Sequence, residues 1–430
     1  MNVKVRLVLM NFLQFAIWGA YLTSMGRYLG PNGMGNYIGM FYSIQGIVSI
    51  FMPALLGIIA DRWIQAQKML GISHAISGIA MIAAGLYGLS AGANVQFGTF
   101  FTLYTLGVAF YMPTIALSNA VAYNALSKAG FDTVKAFPPI RVFGTVGFIC
   151  SMWAVDLLGL QESAKQFIVS GGIGMALAIY AFTLPSCSIV KTGEHKSVAE
   201  ALGLKAFSLF KEKKMAIFFI YSMLLGVSLQ ITNGFANPFL SSFGAEAEYA
   251  HTFGVQHANM LVSLSQISET LCILLIPFCL KKFGIKKVML IAMFAWVLRF
   301  GLFGVGNPGT GVWFCVLSML VYGVAFDFFN ISGSLFVDKE TDISMRSSAQ
   351  GLFMLMTNGI GATIGTLGAQ AVVSKFCTWQ EVVNENGIPH HYLIGDWVSV
   401  WGIFAAYALV VAVTFIFAFK EEKGTIPSES

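Results

Sequence analysis

The chain has 430 residues, of which 57% are hydrophobic and only 10% charged, with a formal net charge of +5. A mean hydropathy of +0.74 exceeds what a water-facing surface of this size tolerates, so the composition excludes a soluble globular domain and places the chain in a lipid bilayer. The surplus cations fall in short loops and form no basic face with interleaved aromatics, which excludes nucleic acid as a partner.

Twelve apolar runs follow one another, each long enough to cross about 30 Å of hydrocarbon at about 1.5 Å per residue. In the first half they are Leu7–Tyr28, Tyr37–Ala60, Met69–Ala91, Phe97–Leu126, Val142–Leu160 and Phe167–Pro185. The first is too long for a secretory leader, and Gly19-Ala20-Tyr21-Leu22 has no cleavage pattern, so it is expected to stay as a helix. In the second half they are Met215–Leu240, Gly254–Leu280, Val288–Val305, Val312–Val337, Ser348–Val373 and Trp397–Phe419. Lysine and arginine placement checks the count, because cytoplasmic loops carry the excess. With both termini cytoplasmic, only Arg27, Lys165 and Lys375 fall in outer loops, and only Arg141 and Arg299 lie inside spans.

The longest charged interruption, residues 186–214, separates an N-terminal six-helix half (residues 1–185) from a C-terminal one (residues 215–430) with a short cytoplasmic tail. A faint repeat relates the two. Met52-Pro53 runs into Asp61-Arg62 and Lys68 as Ile276-Pro277 runs into Lys281-Lys282, and Ala109-Phe110-Tyr111 has its counterpart in Ala325-Phe326-Asp327. Two such halves imply an all-α membrane protein of the major facilitator fold, in which a central site is exposed alternately to each side. Gly57-Ile58-Ile59-Ala60-Asp61-Arg62 with Lys68 looks like that superfamily's loop motif. The glycine pairs Gly144/Gly147 and Gly361/Gly365 read as close helix packing.

Polar residues within the spans carry the functional signal. Glu269 sits mid-run, with no Lys or Arg between Lys214 and Lys281. A carboxylate at bilayer depth costs a few kcal/mol or more unless something offsets it, so Glu269, and Asp327 as second candidate, are read as proton-coupling groups. Arg141, Thr145 and Phe148 share one helix face; Gln230 with Asn233, and Gln266 with Glu269, form two i, i+3 forks; Tyr322 and Phe326 form an aromatic pair at i, i+4. Amides donate and accept, which suits ribose hydroxyls and a base edge, and the aromatic face suits a planar ligand. Alternative readings stay open here: amides that only bond neighbouring helices, aromatics that only pack, an Arg141 that snorkels after Pro138-Pro139, or an ion pair joining Glu269 or Asp327 to Arg141 or Arg299. Gln14, Trp18, Gln45, His74 and Asn358 also lie in spans without a spacing that separates pore lining from packing. The six cysteines have no ligand spacing, and no metal or cofactor is expected.

These residues lie in segments that resemble the bacterial nucleoside:proton symporters of the major facilitator superfamily. The similarity runs through Phe51-Met-Pro-Ala-Leu-Leu-Gly57, Phe137-Pro-Pro-Ile-Arg141 with Gly144-Thr145 and Gly147-Phe148, and Leu229-Gln-Ile-Thr-Asn233. It continues in Ser265-Gln-Ile-Ser-Glu-Thr270, Ala325-Phe-Asp-Phe-Phe-Asn-Ile-Ser-Gly333 and Met356-Thr-Asn-Gly359, and weakens in the loops around Arg27–Asn36, Gly92–Gln96 and Lys375–Asp396. The resemblance implies a monomeric, proton-coupled importer of uridine and related nucleosides in the bacterial inner membrane, working by alternating access. It also implies that Arg141, Thr145, Gln230, Asn233, Gln266 and Glu269 bond the nucleoside while Phe148, Tyr322 and Phe326 flank it, with Asp327 beside them. Proton–sugar symport uses much the same chemistry and is the alternative. A membrane-embedded enzyme lacks a metal-ligand spacing, phosphate loop or nucleophile–base pair, and a channel lacks repeated charged rings.

Overall fold

The computed structural model describes residues 2–187, 204–383 and 387–419. Its N-terminal half consists of α1 (Val3–Gly19, resuming past a break as Met25–Leu29), α2 (Ile38–Arg62), α3 (Ala66–Ala91), α4 (Phe97–Lys128), α5 (Thr133–Leu157) and α6 (Lys165–Ala181). In the C-terminal half, α7 is Lys213–Leu229 and, past a break at Gln230, Ile231–Ser242. Then come α8 (Ala258–Val262, Leu264–Ile273 and Ile276–Phe283), α9 (Ile285–Val305), α10 (Val312–Glu340), α11 (Ile343–Met354 and Ala362–Phe376 around a π-helical turn, Leu355–Gly361) and α12 (Trp397–Ala418).

Among the described residues, 9 helices are long and apolar enough to span a membrane, and the two main parts of α8, bent by 56°, make a tenth. The remaining two spans expected from sequence are the 17-residue α1 and α6, each about 25 Å long. The bend in α8 comes directly before Pro277, whose ring cannot continue the hydrogen-bonding of the preceding turn. Local signals set several other boundaries. The Asn2 side chain accepts from Lys4 N at 3.1 Å to start α1, and Asp396 accepts from Ser399 N at 3.0 Å to start α12. Gly284, with φ of 78°, turns the chain from α8 into α9. Most of the expected linker, residues 188–203, lies outside the described residues, as does the tail from residue 420.

One element differs from the sequence reading. The segment expected as a loop, Lys375–Asp396, contains an antiparallel hairpin of β1 (Cys377–Val383) and β2 (Pro389–Gly395), paired from Cys377↔Gly395 to Val383↔Pro389. Two short strands are marginal alone; these are held by Trp379, whose ring packs directly on Gly30 and Gly35 of the loop between α1 and α2, where any Cβ would overlap the indole.

The buried core is aromatic in both halves. Tyr21, Phe41, Phe100, Tyr104 and Phe167 interlock in the first, and Phe239, Phe300, Phe303 and Trp401 in the second. The glycine pairs act as expected: a Cβ at Gly147 would overlap Phe12 O of α1, and one at Gly365 would overlap Val227 O of α7. Hydrogen bonds between the halves gather at the end of the bundle that carries the hairpin. There Gly39 N donates to Gln370 Oε1 at 2.9 Å, Trp153 Nε1 to Ser263 Oγ at 2.8 Å, and Thr23 Oγ1 to Asn259 Oδ1 at 2.9 Å. Asn237 Nδ2 adds a bond across to Gln161 Oε1 at 2.9 Å and, within its own half, one to Asn259 Oδ1 at 2.7 Å.

Candidate functional site

The C-terminal half supplies one wall from three helices. The helical run of α7 is interrupted at Gln230, and across the break Asn233 Nδ2 donates to Gln230 Oε1 at 2.8 Å, so the two amides hold each other in place. On α8, Gln266 is buried with its Oε1 unpartnered among the described residues, and Glu269 follows one turn later, half-buried. On α10, the Tyr322 and Phe326 rings stack with centroids 5.5 Å apart and planes 14° apart. Asp327, 5% exposed, has an unpartnered Oδ2 beside them. Buried acceptors without a donor are expensive, so both oxygens gain from a donor brought to them.

The facing wall belongs to the N-terminal half. The Arg141 guanidinium lies over the Phe15 ring of α1, with Cζ 3.8 Å from the centroid, so α5 and α1 jointly aim it. Thr145, one turn further, is half-buried and has no hydrogen-bond partner among the described residues. Phe148, 7% exposed, meets the edge of Trp18 at 6.2 Å. Arg141 and Glu269 act on one another electrostatically across the two halves, and Glu269 acts in turn on Asp327. No direct ion pair joins Glu269 or Asp327 to Arg141 or Arg299 among the described residues, so the structural ion-pair reading of the two carboxyls does not hold.

Among these residues the structure pairs Gln230 with Asn233 and Tyr322 with Phe326, and couples Glu269 electrostatically to Arg141, Tyr322 and Asp327. It also adds ones whose role the spacing leaves open. Trp18 Nε1 donates to Gln45 Oε1 at 3.1 Å, and Gln45 Nε2 to Tyr104 OH at 2.8 Å. Gln14 donates to Thr114 Oγ1 at 2.7 Å, pairs with His74 Nε2 at 2.7 Å, and accepts Tyr111 OH on its backbone oxygen at 2.8 Å. This fully buried network braces α1, α3 and α4 behind Arg141. Asn358 lies in the π-helical turn of α11, with its amide nitrogen 3.3 Å from Thr357 Oγ1. Phe15 is the addition that no periodicity signals, because its role depends on which helix packs against α5.

A bundle of two six-helix halves, with a polar and aromatic constellation shared between them and a closed end beyond it, defines a major facilitator carrier. A family model for the nucleoside H+ symporters matches residues 1–424. The chain is 47% identical over 423 residues to the xanthosine permease of Escherichia coli (strain K12), covering 98% of this chain and 96% of that protein. To the nucleoside permease NupG of the same strain it is 46% identical over 431 residues, covering 100% and 98%. It matches the crystal structure of the nucleoside transporter NupG with a TM-score of 0.87 at 45% identity, covering 98% of this chain and 100% of that one. The inward open xylose transporter XylE from E. coli, at 14% identity, 98% and 97% coverage and a TM-score of 0.65, shares the fold. The chain belongs to the nucleoside H+ symporter family. It is a multi-pass membrane transporter that couples nucleoside import to protons.

Proposed function

We propose that the nucleoside lies between the halves with its base against Phe148, Tyr322 and Phe326 and its polar edges on Arg141, Thr145, Gln230, Asn233, Gln266 and Glu269. The observation that carries this assignment is the unpartnered Gln266 Oε1 and Asp327 Oδ2 beside a ready-made aromatic platform. The ribose hydroxyls supply donors that the buried acceptors lack, and the base supplies a planar face. Uridine and related nucleosides have both features; a pyranose has the hydroxyls but only a weak stacking face, which favours nucleosides over the proton–sugar alternative.

Glu269, with Asp327 beside it, is assigned the proton. Burial in a low-dielectric site disfavours the ionised form of a carboxyl, so proton uptake from the acidic side and release to the other become steps of the cycle. Each inward proton supplies about 1.4 kcal/mol per pH unit and about 2.3 kcal/mol per 100 mV, enough to concentrate an uncharged solute. Lysine-rich loops support a placement with both termini on the cytoplasmic side of a bacterial inner membrane, with the hairpin end facing outward. The working unit is a monomer of two halves, residues 1–185 and 215–430, joined by residues 186–214.

The test is uptake of labelled uridine into proteoliposomes under an imposed pH gradient. Accumulation that an ionophore abolishes and that nucleosides, but not monosaccharides, compete for is the expected result. Competition by monosaccharides alone would replace the nucleoside assignment with the sugar one.

A further inference from the structure

Arg299 is a second guanidinium inside the bundle, 2% exposed, and it lies outside the set assigned to the nucleoside. An ionisable side chain at this depth is read as functional before it is read as packing. Among the described residues no acid lies within ion-pair distance of it. Its partners are instead three neutral oxygens and two rings. Nη1 donates to Ser318 O at 2.7 Å, and Nη2 to Thr232 Oγ1 at 3.1 Å and Ser265 Oγ at 3.3 Å. Cζ lies 4.6 Å from the Tyr322 ring centroid and 5.4 Å from that of Phe303. Ser318 Oγ returns a bond to Arg299 O at 2.8 Å, closing α9 onto α10.

The placement of those oxygens is the telling feature. Thr232 falls between Gln230 and Asn233 on α7, Ser265 is next to Gln266 on α8, and Ser318 lies one turn before Tyr322 on α10. Each arm ends beside a side chain assigned to the nucleoside, each on a different helix. The covered ring is the one that stacks on Phe326.

We infer that Arg299 is a positioning residue for the nucleoside site, a three-armed brace that fixes the α7 amide pair, Gln266 and the Tyr322 ring relative to one another. The inference rests on the assignment of those side chains to the nucleoside. A guanidinium suits the task because its donors diverge in one rigid plane, whereas an ammonium keeps the charge but not the fixed fork.

The experiment measures equilibrium binding and uptake kinetics of labelled uridine on purified variants, with their melting temperatures. Arg299→Lys is expected to bind about tenfold more weakly and to raise KM by the same factor, while the maximal rate per folded protein changes by less than about twofold. A folded Arg299→Lys with wild-type affinity would overturn the inference. If Arg299→Lys does not fold, Thr232→Val and Ser265→Ala each remove one acceptor and keep the guanidinium. Both are then expected to raise KM by about threefold at unchanged melting temperature, and wild-type KM in both would overturn it equally. Gln266→Ala separates the two levels of the argument. Wild-type binding by Gln266→Ala sinks the site assignment and the brace with it; weak binding by Gln266→Ala with wild-type affinity in the Arg299, Thr232 and Ser265 variants sinks the brace alone.

Discussion

Asp156 and His257 meet across the two halves, with the imidazole Nδ1 2.6 Å from the carboxylate Oδ1. The second carboxylate oxygen accepts the Met260 amide at 3.1 Å, so one side chain at the end of α5 holds the opening turn of α8. The Asp156 side chain is 0% exposed, and both bonds tie α5 of one half to the other half at the hairpin end. Asp156→Ala should therefore weaken the closed state by about 1–3 kcal/mol. In a chain whose 6 native cysteines are replaced, Val262→Cys reports this as faster labelling by an impermeant maleimide from outside, by about fivefold or more. Unchanged labelling would show that the pair does not latch the halves.

Stacking makes a separate prediction. The Tyr322 and Phe326 rings are nearly parallel, and Phe326 is only partly buried, which leaves part of its surface for a base. A base on an aromatic face is worth about 1–3 kcal/mol. Phe326→Ala should thus raise the KM for nucleosides about fivefold or more, and Phe326→Tyr should restore most of the affinity. Equal KM values for wild type and Phe326→Ala would remove the ring from the site.

Helix contact through glycine gives a stability prediction with its own control. A Cβ at Gly365 would overlap the Val227 carbonyl, whereas one at Gly368, on the same helix, would meet nothing within 4 Å. Overpacking costs about 1–3 kcal/mol, so Gly365→Ala should lower the melting temperature in detergent. Gly368→Ala should leave it unchanged or raise it, since alanine is the better helix former.

Most of the architecture is legible from apolar run length and lysine placement, because a bilayer imposes one length scale and one charge asymmetry on every span. Glu269, Asp327 and the Gln230/Asn233 pair stand out for the same reason: polar atoms in lipid are conspicuous against an apolar background. What spacing does not reveal is which helix faces which. Phe15 under Arg141, His74 bonded to Gln14, and the Asp156–His257 pair all depend on contacts between residues 60 or more apart in sequence. The hairpin is hidden differently. Val382-Val383 and Tyr392-Leu393-Ile394 alternate poorly, and the strands take their stability from Trp379 docking on Gly30 and Gly35, a contact with a distant loop. The bend in α8 is foreshadowed by Pro277, although the apolar run crosses it without interruption.

The sharpest test concerns the carboxyls. Glu269 is coupled electrostatically to Arg141 across the halves and to Asp327 within its own, so its charge state bears on both. Glu269→Gln keeps the shape and the hydrogen-bonding capacity of the side chain but cannot exchange a proton. With one proton carried per nucleoside, a gradient of about one pH unit sustains about tenfold accumulation in the wild type. Glu269→Gln should equilibrate labelled nucleoside without concentrating it and should still perform counterflow, because exchange requires the site to reorient but not to change protonation. Asp327→Asn, measured in parallel, separates the two groups. Wild-type accumulation by Glu269→Gln together with its loss in Asp327→Asn would move the proton to Asp327, and wild-type accumulation by both would remove it from this pair altogether.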